Sequence, residues 1–217
     1  MYPRLLTLAG LLAVMPACAM GRSDPVLEAP VPEAPLSAFA AVRMIALPVQ
    51  MVRSGDPMGW SARLGETKAF LARADSALEA ALRERGLETQ WAFPSDLART
   101  AQRNPMHAVS PAVIRAGDAV RVMERRRGSE IPEPVATQIR TLAAFHDTRH
   151  ALVPVEIRFE PAPGGTGGHG VLRIAVLDVR TSRLVFTGDV VGDNSTEFSD
   201  GVVKELATRF ADLIVAR

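Results

Sequence analysis

The sequence predicts an α/β (α+β) domain: one mixed sheet that ends in a three-strand antiparallel meander and is packed by helices. Three observations carry this. Phe70, Ala74, Ala77, Leu78, Ala81 and Leu82 recur on one helical face ahead of Gly86. From Ala151 the apolar period drops to two and three strand-like runs follow in succession. Near the end, Phe198, Val202, Leu206, Phe210, Leu213 and Ile214 form a second helical stripe, which is expected to pack on the meander.

Taken in order, the apolar run from Val42 to Val52 is bounded by Ser54-Gly55-Asp56-Pro57. It reads as a strand, with Pro48 marking an edge or a bulge because it has no N–H for the ladder. The helix containing Phe70 stops at Gly86, which accepts the left-handed conformation that closes a helix. A short strand from Glu88 to Phe93 ends at Pro94, and Ser95 then caps a brief helix reaching Asn104-Pro105. Ser110-Pro111 opens another helical turn, with Pro111 in the first position, where a missing N–H costs nothing. Between Gly117 and Pro134 the pattern is irregular: Val120, Val122 and Met123 suggest burial, whereas Arg125-Arg126-Arg127-Gly128 reads as a solvated loop.

Val135, Ile139, Leu142 and Ala143 restore helical spacing as far as Phe145. Ala151, Val153, Val155, Ile157 and Phe159 then alternate with Pro154, Glu156, Arg158 and Glu160, the pattern of a half-buried strand. The glycine-rich stretch from Pro161 to Gly170 links it to Val171–Val179, apolar on both faces and therefore more central. Thr181-Ser182 turns the chain into Leu184–Val191, and Asn194 or Ser195 caps the last helix.

Ahead of this domain, Met1-Tyr2-Pro3-Arg4 precedes an apolar segment, Leu5 to Met15, that is shorter than the roughly 20 residues needed to span a bilayer. Residues 1–19 read as a signal peptide. Two cleavage patterns overlap there: Ala17-Cys18-Ala19 is an A-x-A site, while Met15-Pro16-Ala17-Cys18 is a variant of the bacterial lipobox, which makes Cys18 the expected lipid attachment site. Cys18 is the single cysteine of the chain, so no intramolecular disulfide can form. Residues 20–38, rich in Pro, Ala and Glu, read as a semi-extended tether, and residues 39–217 as one α/β domain. The formal charge of +1 becomes neutral once Arg4 leaves with the signal, so no global field for nucleic acid exists.

In the meander, Arg149-His150-Ala151-Leu152-Val153-Pro154-Val155 and Leu177-Asp178-Val179-Arg180-Thr181-Ser182-Arg183-Leu184-Val185-Phe186 follow a strand, D-x-x-T-G turn and strand pattern, with Ser182 where glycine is commoner. These segments and the element order resemble the small α/β domain of bacterial envelope proteins: curli-secretion lipoproteins, lipoprotein activators of penicillin-binding proteins and the amino-terminal domain of the Tol-system propeller protein. The resemblance implies docking to envelope partners and carries no catalytic residues. Turn chemistry alone accounts for Asp178 and Thr181, whose side chains can bond backbone N–H groups around the hairpin.

Each of the remaining motifs also admits a plain structural role. His146-Asp147-Thr148-Arg149-His150 has the H-x-x-x-H spacing that puts two imidazoles on one helix face for zinc, but strand alternation begins at Ala151, which favours a helix-to-strand turn. Pro163 to Gly170 lacks the Lys-Ser/Thr ending of a phosphate loop and reads as a hairpin tip. Arg125-Arg126-Arg127 suits a polyanion or a solvated loop; Asn194-Ser195-Thr196 suits a glycosylation sequon or a helix cap; Trp60 and Trp91 suit a partner surface or the core. With Cys18 taken by the signal and no G-x-S-x-G elbow, nucleophilic catalysis has no candidate. The expected protein is a non-enzymatic periplasmic lipoprotein without cofactor. It binds an envelope protein or membrane complex through an exposed strand edge or the loop around Trp60. The alternatives are an accessory subunit on the periplasmic face of such a complex and a metal-dependent hydrolase centred on His146 and His150.

Overall fold

The computed structural model describes residues 36–126 and 130–216. Strands β1 (Met44–Ala46), β2 (Trp91–Ala92), β3 (His150–Pro161), β4 (Gly168–Asp178) and β5 (Arg183–Val191) form one sheet in the order β2-β1-β3-β4-β5. β1 runs parallel to β2 and β3, and β3, β4 and β5 form the antiparallel meander. Helices α1 (Thr67–Glu84) and α5 (Asp200–Ile214) contribute to the core on one face. Helices α2 (Pro94–Arg103), α3 (Ala116–Arg126) and α4 (Val135–Phe145) contribute to a second core on the other. The mixed sheet, the meander and its packing by helices are those the sequence predicts.

α1 buries Phe70, Ala74, Leu78, Ala81 and Leu82, and Gly86 beyond its end has φ +78°. α5 lies beside α1 in the same direction, since Arg73 pairs with Asp200 near both starts and Arg85 with Asp212 near both ends. The stripe of α5 packs with Ile157 and Phe159 of β3, as expected. Leu36 and the 3-10 turn Ser37–Phe39, read as the end of the tether and the start of the domain, pack on this layer, and the Leu36 N–H donates to the Leu213 carbonyl at 2.8 Å.

Several local expectations are corrected. The run from Val42 to Val52 is not one edge strand: β1 lies inside the sheet and stops at Ala46, ahead of Pro48. The chain nevertheless keeps following β3, with Leu47 N–H on the Leu152 carbonyl at 2.9 Å and Arg53 N–H on the Ile157 carbonyl at 2.8 Å. The strand expected from Glu88 shrinks to Trp91–Ala92, because Leu87–Thr89 tightens into a 3-10 turn that buries Leu87. Ser95 does not cap α2. Phe93 occupies the cap position and donates its N–H to the Asp96 carboxylate at 3.0 Å, while the Ser95 hydroxyl donates to Glu79 at 2.8 Å.

The largest correction is α3, a helix where an irregular segment is expected. Ala116, Ala119, Val120 and Met123 form its buried stripe, and Arg115 and Arg121 each pair with Asp118 three residues away. Gly117 lets this helix approach closely: a Cβ there would stand 2.8 Å from the Gln50 Cβ.

β3 is not half-buried. Its first half is enclosed on both faces, and the register shifts between Pro154 and Glu156, which leaves Val155 as an extra residue. Ala151, Val153 and Val155 therefore join the α2-α3-α4 core, whereas Ile157 and Phe159 join the α1-α5 core. Asn194 and Ser195 do not cap α5, which starts after Ser199. Ser195 exchanges backbone hydrogen bonds with Gly168 at 2.7 and 2.8 Å, and Phe198 packs its ring near Trp60, Phe70 and Phe159.

Candidate functional site

Cys18, residues 1–35 and residues 127–129 lie outside the described residues, so the lipid attachment site and most of the arginine run are not placed. Among the described residues, no helix is long and apolar enough to cross a membrane. Arg125 is exposed near the end of α3.

α4 ends at Phe145, so His146 and His150 do not lie on one helix face. His146 follows the helix with its Nε2 3.0 Å from the Thr100 hydroxyl. His150 begins β3, 6.2 Å from the Phe39 ring, with its Nδ1 buried and without a hydrogen-bond partner. Burial holds both imidazoles below the ordinary histidine range, mainly by penalising the charged ring.

Trp60 and Trp91 are both in the core, so the loop around Trp60 does not present its indole to a partner. Trp60 meets Phe159 edge-on at 5.8 Å, and the Trp91 Nε1–H donates to the Phe39 carbonyl at 3.2 Å. Asp178 performs the expected turn chemistry, accepting the N–H groups of Arg180 and Thr181 at 2.9 and 3.1 Å. The Arg149 guanidinium also grips it from Nη2 at 2.6 Å and is the main reason its carboxyl is pulled down to about 2. Thr181 takes part through its backbone N–H. Ser182, at the glycine-like position, has φ +56° and carries the Arg140 guanidinium on its hydroxyl at 3.0 Å. The glycine-rich stretch forms the hairpin tip between β3 and β4.

Two surfaces have the character of binding faces. An open groove of about 720 Å³ runs between α1 and α5, floored by Ala77, Ala81 and Val203 and flanked by Arg73 and Lys204. β5 is the last strand of the meander side of the sheet; Val185 and Val191 on it are 51% and 50% exposed. Near its start, Glu130 bridges to Arg183.

Sequence reading missed one buried acid, Glu156, and one half-buried acid, Asp75. Glu156, beside the β3 bulge, is 1% exposed and accepts from Arg53 at 2.6 Å, with Arg158 and Arg121 at 3.7 and 3.8 Å. It is brought there because the bulge puts Val155 and Glu156 on one side, which no alternating pattern predicts. Asp75 on α1 accepts the Val49 N–H at 2.6 Å, just past Pro48. Burial pushes its carboxyl up to about 7, the Val49 N–H opposes this, and the Glu79 charge adds to it.

The Asp75 shift has a defined sign. Between about pH 4, where an unfolded Asp loses its proton, and pH 7, the folded chain still holds that proton, so folding stability falls as pH rises. This contribution is complete below about pH 4 and lost above pH 7. In urea melts at a series of pH values, Asp75→Asn should remove it, so the gap between mutant and wild-type stability should shift in the mutant's favour as pH rises through that window. A constant gap would mean that Asp75 ionises as freely in the fold as in the unfolded chain.

No family model matches the chain, and no curated protein matches it. Solved structures similar to it include the following three. The PelC dodecamer from Paraburkholderia phytofirmans shares 12% identity over 85% of this chain and 94% of that one, with a TM-score of 0.37. Lipoprotein GNA1162 from Neisseria meningitidis shares 12% over 81% and 99%, with a TM-score of 0.37. The hypothetical protein CT253 from Chlamydia trachomatis shares 10% over 82% and 100%, with a TM-score of 0.42. Scores this low assign neither a family nor a function.

Proposed function

We propose that this chain is an exported, non-enzymatic protein of the bacterial envelope, anchored through a lipid on Cys18 and working in the periplasm as a docking or assembly module. One observation carries the reading: the single cysteine falls where the apolar leader ends, directly ahead of the proline-rich stretch that leads to the folded domain. The outer edge of β5 supports it, since a nine-residue terminal strand offers backbone groups to an added strand and Val185 and Val191 offer apolar contacts beside them. A docking role also fits the resemblance of the meander to envelope lipoproteins.

Replacing Cys18 with Ser is expected to move the protein from the membrane fraction to the soluble fraction. An unchanged distribution, together with a mature chain starting at Met20, would replace the lipoprotein reading with ordinary secretion.

A further inference from the structure

A polar cleft of about 380 Å³ opens beside β2, at the end of the sheet where β1, β2 and β3 begin. We infer that it is a binding site for a phosphate-bearing ligand, held by Arg43, Arg99 and Arg103.

The charge of the cleft supports this. Four guanidinium groups line it, those of Arg43, Arg83, Arg99 and Arg103, against the carboxylates of Glu88 and Asp96. Glu79 and Asp147, just outside the lining, offset Arg83 and Arg43, so the positive charge left to meet the roughly −1.5 to −2 of a phosphomonoester at neutral pH is that of Arg103, which has no carboxylate partner among the described residues, and of Arg99, which shares Asp96. Arg83 is already engaged: it pairs with Glu79 at 2.9 Å and Asp96 at 3.3 Å, and its guanidinium stands 4.7 Å over the Phe93 ring. Arg99 pairs with the same Asp96, so that one carboxylate is shared between two cations. Arg43 reaches only Asp147, whose side chain is 91% exposed, a pairing that water largely screens. Arg103 makes no ion pair or side-chain hydrogen bond among the described residues and is exposed.

The neutral lining points the same way. Thr148 borders the cleft with a buried hydroxyl that has no hydrogen-bond partner. A buried donor left unmade is costly, and an oxyanion would satisfy it. Planar guanidinium forks suit phosphate oxygens better than they suit a spherical anion.

The same chemistry reaches the cleft either as a soluble phosphomonoester or as a phospholipid headgroup, and the test separates the two. The full chain is titrated near pH 7 and low salt with inorganic phosphate and with glycerol 3-phosphate. It is also sedimented with phosphatidylcholine vesicles doped with phosphatidic acid. Saturable binding of at least one probe is expected, and Arg103→Ala should weaken it by at least about tenfold, the usual consequence of losing a charge-assisted hydrogen bond. Arg115→Ala, an exposed arginine outside the cleft, should change nothing. Because Arg103 is exposed and unpaired, its replacement leaves the fold intact, and comparison with it subtracts any vesicle binding by the apolar leader. Vesicle binding lost in Arg103→Ala without saturable binding of either soluble probe assigns a lipid headgroup; saturable binding of a soluble probe without Arg103-dependent vesicle binding assigns a soluble ligand. Absence of saturable binding to every probe, or binding that both Arg103→Ala and Arg99→Ala leave unchanged, overturns the proposal. None of these outcomes depends on the lipid at Cys18.

Discussion

Phe210→Ala is expected to lower the unfolding free energy by about 3 to 5 kcal/mol, the range for emptying a large aromatic site in a core. Phe210 is completely buried, in the third turn of α5. It borders Leu78 and Leu82 of α1, Ala46 of β1, Leu152 of β3 and Val176 of β4, around two voids of only about 10 Å³ each. The sheet side of this site cannot collapse into the space, because β1, β3 and β4 are held by their own ladders. The loss should appear as a lower urea midpoint with an unchanged slope. A loss under about 1 kcal/mol, well below the range for such a truncation, would mean that α5 is not docked on the sheet in solution.

Glu156→Ala is expected to cost about 3 kcal/mol, the lower end for breaking a buried ion pair. The carboxylate is 1% exposed, whereas its closest partner, Arg53, is 59% exposed and can be rehydrated when left alone. That asymmetry keeps the cost from rising further. Glu156→Gln, which keeps the shape and one acceptor, should cost roughly 1 to 2 kcal/mol. Because Arg53 also donates its backbone N–H to the Ile157 carbonyl at 2.8 Å, amide exchange at Arg53 should accelerate in Glu156→Ala. Unchanged exchange together with unchanged stability would show that the ion-pair cluster is a solvated surface feature and does not tie the segment after β1 to the sheet.

Both effects arise where tertiary packing and local pattern meet, and they mark how far each was legible. The stripes of α1 and α5 and the run of three strands could be read directly, because periods of 3.6 and 2 are properties of neighbouring residues. Gly86 was equally plain, since a left-handed helix stop favours a residue without Cβ. Of the site residues, Asp178 was found by its turn chemistry, and His146 and His150 were found by spacing but separated by the end of α4. Glu156, Asp75 and the arginines of the β2 cleft gave no local signal: Arg43, Arg83 and the α2 pair Arg99 and Arg103 come from three places in the chain and meet only in the fold.

By itself the sequence determined the class of fold, the meander and the two helices that cover one face. The structure alone decided that α3 is a helix, because half of its stripe, Ala116 and Ala119, is small alanine whose burial depends on a facing sheet and on Gly117 letting the helix approach. It also decided which face of β3 each residue takes. Pro154 has no N–H to give its partner strand, the ladder slips at Val155, and every side chain beyond that point changes sides, an outcome set by pairing between strands and invisible to the period of one.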